Sequence, residues 1–192
     1  LETPIIEKCL KQLNYKKYYF NINNHHIYHA TCGYYFSKYK EAIALISDGG
    51  GEMPINPLFR VLQSIFLINE KEVIPKYKYF SNKKVDYFNN FVPIEQYHKK
   101  EIDFVMSSKS KAGSKYIEYL DKTNFKIGEE GQLMGIAAYK NKGTDLDKNV
   151  LEIANKAQDE TLKDIIDLIE KAKEYSHCKN LILSGGYHLN CL

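Results

Sequence analysis

Three histidines fall within one short stretch, His25, His26 and His29 in Asn24-His25-His26-Ile27-Tyr28-His29-Ala30. On a helix, side chains four apart share a face, so His25 and His29 can hold one metal ion between them while His26 is turned away. Further along, the apolar run Ala42-Ile43-Ala44-Leu45-Ile46 delivers Ser47-Asp48-Gly49-Gly50-Gly51-Glu52. If that run is a strand, Asp48 stands at its carboxyl end, where open α/β sheets bind ligands, and the glycines let backbone N–H groups come close to a phosphate. The same strand-then-glycine logic returns in Asn180-Leu181-Ile182-Leu183-Ser184-Gly185-Gly186. Each signal has a plainer alternative. A histidine cluster can be a polar helix face or a cap, and Asp-Gly-Gly-Gly or Ser-Gly-Gly can be a simple turn.

The elements that would position these groups follow from periodicity. Pro4 to Leu13 carries Ile5, Ile6, Cys9, Leu10 and Leu13 at the spacing of an amphipathic helix, and the tyrosine-rich Tyr15 to Ile22 reads as a short strand. Asn24 to Tyr39 is predicted to be helical with an Asn at its cap, which places His25 and His29 in its first turns. Ala42 to Ile46 is a buried strand. Phe59 to Ile68 and Glu72 to Phe80 alternate as an antiparallel hairpin, and Pro75 argues for an edge position in the second strand. From Ser81 to Ser114 no period is sustained, so a long connection is expected. Gly113 to Asn124 and Gln132 to Tyr139 are helical segments, the second read as a close helix contact. Asp147 to Tyr175 is one long helix or two in sequence, and Asn180 to Leu183 a buried strand.

Composition bounds the function. The 192 residues are 44% hydrophobic and 27% charged, an ordinary globular balance. A net charge of +3, with lysines scattered among 16 tyrosines, does not favour nucleic-acid binding. The four cysteines form no CxxC pair, which suits free thiols in a reducing compartment, hence the cytoplasm, and they are read as core residues. No apolar run reaches the roughly 18 residues of a membrane span. The start, Leu1-Glu2-Thr3-Pro4, lacks the regions of a signal peptide. His98, His177 and His188 are read as exposed or packed, with His188 closest to a glycine turn. The chain begins without Met and stops just after a glycine turn, and it is expected to be a piece of something longer.

Taken together, His25-His26-Ile27-Tyr28-His29-Ala30, Asp48-Gly49-Gly50-Gly51-Glu52, Gln132-Leu133-Met134-Gly135-Ile136-Ala137-Ala138-Tyr139 and Asn180-Leu181-Ile182-Leu183-Ser184-Gly185-Gly186-Tyr187-His188-Leu189-Asn190-Cys191 resemble, in order and spacing, the O-carbamoyltransferases that modify nodulation factors and antibiotics. The resemblance runs from about Tyr18 to the end of the chain. Gln132 stands where that family usually has Lys, and Lys140 where it usually has Gly.

The resemblance implies an α/β fold of the ASKHA type, the nucleotide-binding domain shared with actin, sugar kinases and tRNA threonylcarbamoyl transferases. Residues 1–40 would end its first lobe and 41–192 form most of its second, without the N-terminal strands and without the later domain that makes carbamoyl-adenylate. It implies His25 and His29 as ligands of Fe2+ or another divalent metal, completed by an acid beyond Leu192, and Asp48 acting on the metal or its water. Asp48 with Gly49, Gly50 and Gly51 would be a phosphate motif, Gly185 and Gly186 the nucleotide-side turn, and Asn190 a polar contact nearby. ATP with Mg2+, carbamoyl phosphate and a hydroxyl-bearing sugar or small-molecule acceptor are the implied partners, with an oligomer compatible. The implied reaction is ATP-dependent transfer of a carbamoyl group to that hydroxyl, the part in hand being expected to be inactive alone. Another ASKHA enzyme, a kinase or a threonylcarbamoyl transferase, and a non-catalytic domain are the alternatives.

Overall fold

The computed structural model describes residues 25–51, 60–81, 102–140, 142–143 and 145–190. The helix and strand read in Pro4 to Leu13 and Tyr15 to Ile22, the Asn24 cap, Cys9, Cys191 and His98 lie outside them. In chain order the elements are α1 (His25–Ser37), β1 (Glu41–Ser47), β2 (Arg60–Asn69), β3 (Val73–Ser81), β4 (Asp103–Ser107), α2 (Ala112–Leu120), α3 (Glu130–Ala137), α4 (Lys148–Lys173) and β5 (Leu181–Ser184), followed by a 3-10 turn, Gly186–Leu189. The protein is of the α/β class. The five strands among the described residues form one mixed sheet in the order β4-β3-β2-β1-β5.

β1 is apolar on both sides because both of its faces are covered. Ile43 and Leu45 meet Leu62, Ile65, Tyr77, Tyr79 and, from α4, Leu168 and Ala172. Ala42, Ala44 and Ile46 meet Phe66, Ile68, Ile182 and, from α1, Ala30. Burying each large side chain in these layers contributes roughly 1.5–3 kcal/mol, so β1 anchors the sheet from both sides. A third cluster joins α2, α3 and α4 through Tyr116, Leu120, Leu133, Ala157 and Ile165, with Tyr187 beneath it.

Pairing fixes where the strand ends point. β1 runs antiparallel to β2, from Glu41↔Asn69 to Ser47↔Gln63, and parallel to β5, from Ile43↔Leu181 to Ile46↔Ser184. The carboxyl ends of β1 and β5 therefore lie side by side, and the two strands that end in glycine turns share one sheet. The β2–β3 hairpin closes on Asn69, whose Oδ1 accepts the N–H groups of Lys71 and Glu72 at 2.8 and 3.2 Å, the usual use of Asn in a tight turn. Asp147 caps α4, its carboxylate accepting the Asn149 N–H at 2.8 Å, and the pattern from Asp147 to Tyr175 resolves into a single helix.

Four expectations from sequence need correction. The stretch from Ser81 to Ser114 is not all connection: Asp103–Ser107 adds a parallel strand, β4, whose side chains are largely exposed and so carry no apolar period. β3 is interior rather than an edge. Pro75 is tolerated because β4 pairs only with Tyr77 to Ser81, and because a register irregularity at Ile65/Phe66 falls opposite it. β5 is an edge strand with Leu181 and Leu183 exposed, not a buried one. Cys32 is exposed on α1, whereas Cys178 is partly covered beside the β1–β2–α4 layer.

α1 lies directly on β5. A Cβ built on Gly33 would fall 2.6 Å from Ile182 Cγ2, so no larger residue fits without displacing the helix that carries the histidines. Gly33→Ala is expected to cost about 1–3 kcal/mol through overpacking. Scanning calorimetry should then record a melting temperature lower by roughly 2–10 °C.

Candidate metal centre and adjoining cleft

α1 presents His25 and His29 one turn apart, toward the carboxyl end of β1, where Asp48 is the first residue past the strand. His25 Nε2 donates to Asp48 Oδ2 at 2.7 Å. His29 Nε2 lies 3.3 Å from the same oxygen and 3.2 Å from His25 Nε2. Among the described residues these three form a group whose donor atoms converge closely enough for one ion. Donors about 2.0–2.2 Å from a common ion, and near right angles to one another, stand about 3 Å apart. The observed triangle has those edges. Two imidazoles and one carboxylate on one face of an ion leave its other positions open, a donor set suited to Fe(II) and to other divalent metals.

Asp48 is held ionised for this arrangement. Burial pushes its carboxyl upward, but the hydrogen bonds from His25 and His29, together with the electrostatic effect of His26 and His25, outweigh that and hold it well below the usual carboxylate range. Its other oxygen, Oδ1, accepts the Gly49 N–H at 2.7 Å, so the carboxylate is fixed at both ends. Sequence reasoning put the completing acid beyond Leu192; among the described residues Asp48 already stands between both rings. That placement required knowing that α1 crosses the end of β1, which no local pattern encodes.

His26 points the other way, as the helical spacing predicts. It is fully buried, and its Nδ1 is 2.7 Å from Ser64 Oγ on β2. It pins α1 to the sheet.

The glycines divide into two groups. Gly49 and Gly186 line a cleft of about 490 Å3 that also takes in Asp48, Gly113, Ile117, Glu130, Met134, Leu189 and Asn190. Gly50, Gly51 and Gly185 do not line it, and close packing accounts for them. A Cβ on Gly50 would meet the Arg60 guanidinium at 2.9 Å, on Gly51 the His26 ring at 2.5 Å, and on Gly185 the Ser47 carbonyl oxygen at 2.4 Å. Gly185 also has φ +100, a conformation that favours glycine. Asn190 sits at the cleft with its amide donating to Gln158 Oε1 at 2.6 Å. The segment around Met134, read from sequence as a helix contact, forms one wall through Met134, Gly135 and Ala138.

The cleft combines apolar walls with the carboxylates of Asp48 and Glu130 and the glycine backbone of Gly49, Gly113 and Gly186. Its walls are Ile117, Met134, Tyr187 and Leu189, and its mouth is glycine backbone beside Asp48. A volume near 500 Å3 is within the usual range for small-molecule sites. The first turn of α2 contributes Gly113, and a helix N-terminus favours negative charge.

His188, read from sequence as exposed or packed and closest to a glycine turn, is packed. Its ring packs edge-on against Tyr187 with centroids 5.4 Å apart, and its buried Nε2 meets no hydrogen-bond partner among the described residues. Burial lowers its pKa to about 4 even though the Asp48 charge acts to raise it. His177, in contrast, is exposed as expected. Comparison with protein-family models, with curated proteins and with solved structures finds no match to this chain.

Two expectations follow from this geometry. A Cβ on Gly186 would stand 2.9 Å from Asp48 Oδ1, so Gly186→Ala should turn the carboxylate and weaken Co2+ binding, measured by titration of the Co2+ absorption bands, by about tenfold. The folded pKa of His188 is depressed, so the unfolded chain binds the extra proton first. The stability its neutral form provides is complete above about pH 6.5 and lost as pH falls toward 4. His188→Phe, which keeps a ring without the polar atom, should flatten the fall of melting temperature across that window.

Proposed function

We propose that this chain is the metal- and nucleotide-binding part of an ATP-dependent O-carbamoyltransferase, acting on a hydroxyl of a sugar or other small molecule in the cytoplasm. The observation that carries the proposal is the convergence of His25, His29 and Asp48 at one end of a cleft framed by the turns after β1 and β5. All the motifs in which the resemblance resides contribute to that one place, although they are scattered along the sequence. A mixed sheet flanked by helices, with both glycine-terminated strands in it, is what an ASKHA lobe requires. No described helix is long and apolar enough to cross a membrane.

Charge gives the chain's own residues their roles. An ionised Asp48 beside the cleft would repel the phosphate of a nucleotide or of a carbamoyl donor, unless a cation stands between them. His25, His29 and Asp48 are placed to hold such a cation, and Fe2+ fits the donor set. When bound, it would supply Lewis acidity to a carbonyl or phosphoryl oxygen, worth several kcal/mol in a transition state. Gly49 and Gly186 allow the ligand's anionic end to approach the backbone, with Mg2+ accompanying ATP. The apolar walls receive the base and exclude water from it. His26 and Ser64 keep α1 in position and stay outside the chemistry.

A kinase of the same fold would use the paired turns equally well; a histidine-bound metal is what it would not need. Protein purified anaerobically should carry about one equivalent of divalent metal, released by chelation. His25→Ala, His29→Ala and Asp48→Asn should each remove it, and in the full-length protein abolish transfer, whereas His26→Ala should lower the melting temperature and spare the metal. In the full-length protein, label from carbamoyl phosphate should reach an acceptor hydroxyl only when ATP is present. A metal-free protein, or ATP-dependent phosphorylation of the acceptor in place of carbamoylation, would sink the proposal.

A further inference from the structure

Asp164 lies on α4, far along the chain from the metal centre and outside the cleft, yet it is almost fully buried and carries a charge. Its side chain, 5% exposed, is met by two ammonium groups, Lys111 Nζ at Oδ1 and Lys115 Nζ at Oδ2, each at 2.8 Å. Oδ2 also accepts the backbone N–H of Ala112 at 2.9 Å. All three partners belong to the first turn of α2 or the residue before it. A buried carboxylate is expensive unless it is paired and hydrogen-bonded, and here both conditions are met by a single short segment.

That segment is held under strain and against the site. Ala112 has φ +32, unfavourable for a residue with a side chain, and its N–H is the one that Asp164 accepts. The next residue, Gly113, presses on the Asp48–Gly49 peptide: an added Cβ would lie 2.7 Å from the Asp48 carbonyl carbon and 2.7 Å from the Gly49 nitrogen. From the opposite side β2 holds the same turn, with Asp48 N–H donating to the Leu62 carbonyl at 3.0 Å and Gly51 N–H to the Val61 carbonyl at 2.8 Å. The turn is thus clamped between β2 and α2, and Asp164 fixes the α2 jaw.

We propose that Asp164 is a positioning residue for the metal centre: by holding the first turn of α2 it seats the Asp48–Gly49 turn, and so sets the angle at which the Asp48 carboxylate meets His25 and His29. The proposal rests on the reading of those three side chains as metal ligands. Without the Asp164 charge, Lys111 and Lys115 lose their shared partner, Ala112 is released from its strained conformation, and Gly113 withdraws from the turn. The donor triangle then opens although none of its members has changed.

The test uses Co2+ alone as probe, with hydrogen exchange at the Asp48 and Gly51 amides as a readout that needs no metal. Asp164→Asn should weaken Co2+ binding about tenfold or more and speed exchange at both amides. Leu120→Ala, a core truncation at the far end of α2, serves as the stability control and should lower the melting temperature without either effect. If Asp164→Asn does not fold, Lys115→Met removes one of the three contacts and should give a smaller change in the same direction. Wild-type affinity and wild-type exchange in the folded Asp164 variant, or in Lys115→Met if that is the folded one, would overturn the proposal. So would losses that merely track melting temperature in Leu120→Ala as well. If the wild-type protein takes up no Co2+ while Asp164→Asn still frees the two amides, the metal reading fails and the clamp stands.

Discussion

Three glycines crowd the end of β1 more closely than any side chain would permit. Gly185 approaches the Ser47 carbonyl, Gly186 the Asp48 carboxylate, and Gly113 the peptide that joins Asp48 to Gly49. Close approach is the reason for glycine at these positions, and it ties β5, α2 and β1 into one rigid corner. The cleft opens at that corner, and α1 lays His25 and His29 across it. Because the Gly185 and Gly113 contacts are backbone on backbone, they leave little room for the turn to shift. The carboxylate of Asp48 is therefore presented in one orientation, with one oxygen satisfied by its own turn and the other facing the imidazoles.

Polar groups inside the molecule support that corner rather than the core at large. His26 reaches Ser64 across the face that α1 covers. On the other face, Tyr116, Gln158 and Asn190 form a small network, and Tyr187 donates to Thr161 Oγ1 at 3.1 Å. Each of these groups would be costly to bury unpaired, so each constrains the elements it joins to one relative position. α4 is the common partner on the second face: its Gln158, Thr161 and Asp164 follow one another along the helix and bind, respectively, the end of the 3-10 turn, its Tyr187 and the start of α2. A helix that reads in sequence as an ordinary amphipathic support is the part to which both the α2 and β5 sides of the cleft are fastened.

How much of this could be read from the sequence depended on whether the signal was local. The spacing of His25 and His29, the inward turn of His26, the apolar run of β1 and the single long face of α4 are consequences of period, and period is written in neighbouring residues. Exposed β4 has no such period and was invisible. Pro75 misled because its local rule, avoidance of interior strands, was satisfied by the short reach of β4 rather than by an edge position. The contact of Asp48 with the histidine pair depends on where a helix crosses a strand end, and the bond between Ala112 and Asp164 on a long-range placement; neither distance has a sequence signature. The glycine run misled in a subtler way, since Gly49, Gly50 and Gly51 look equivalent in a row but face the cleft, Arg60 and His26 respectively.

The division of labour at Asp48 also bears on which chemistry the site can serve. One carboxylate, through Oδ2, belongs to the histidine pair, and through Oδ1 it belongs to the mouth of the cleft, where Gly49 and Gly186 stand. A site that only bound a nucleotide would gain nothing from placing an ionised acid at the anionic end of its ligand, because the acid repels it. A site that only bound a metal would not need an apolar cleft of nucleotide size beside it. The two arrangements share a residue, and that sharing makes sense when a cation and an anionic ligand occupy neighbouring positions and each lowers the cost of the other. Under the proposed function, group transfer from a phosphorylated or adenylated donor would bring both together at once.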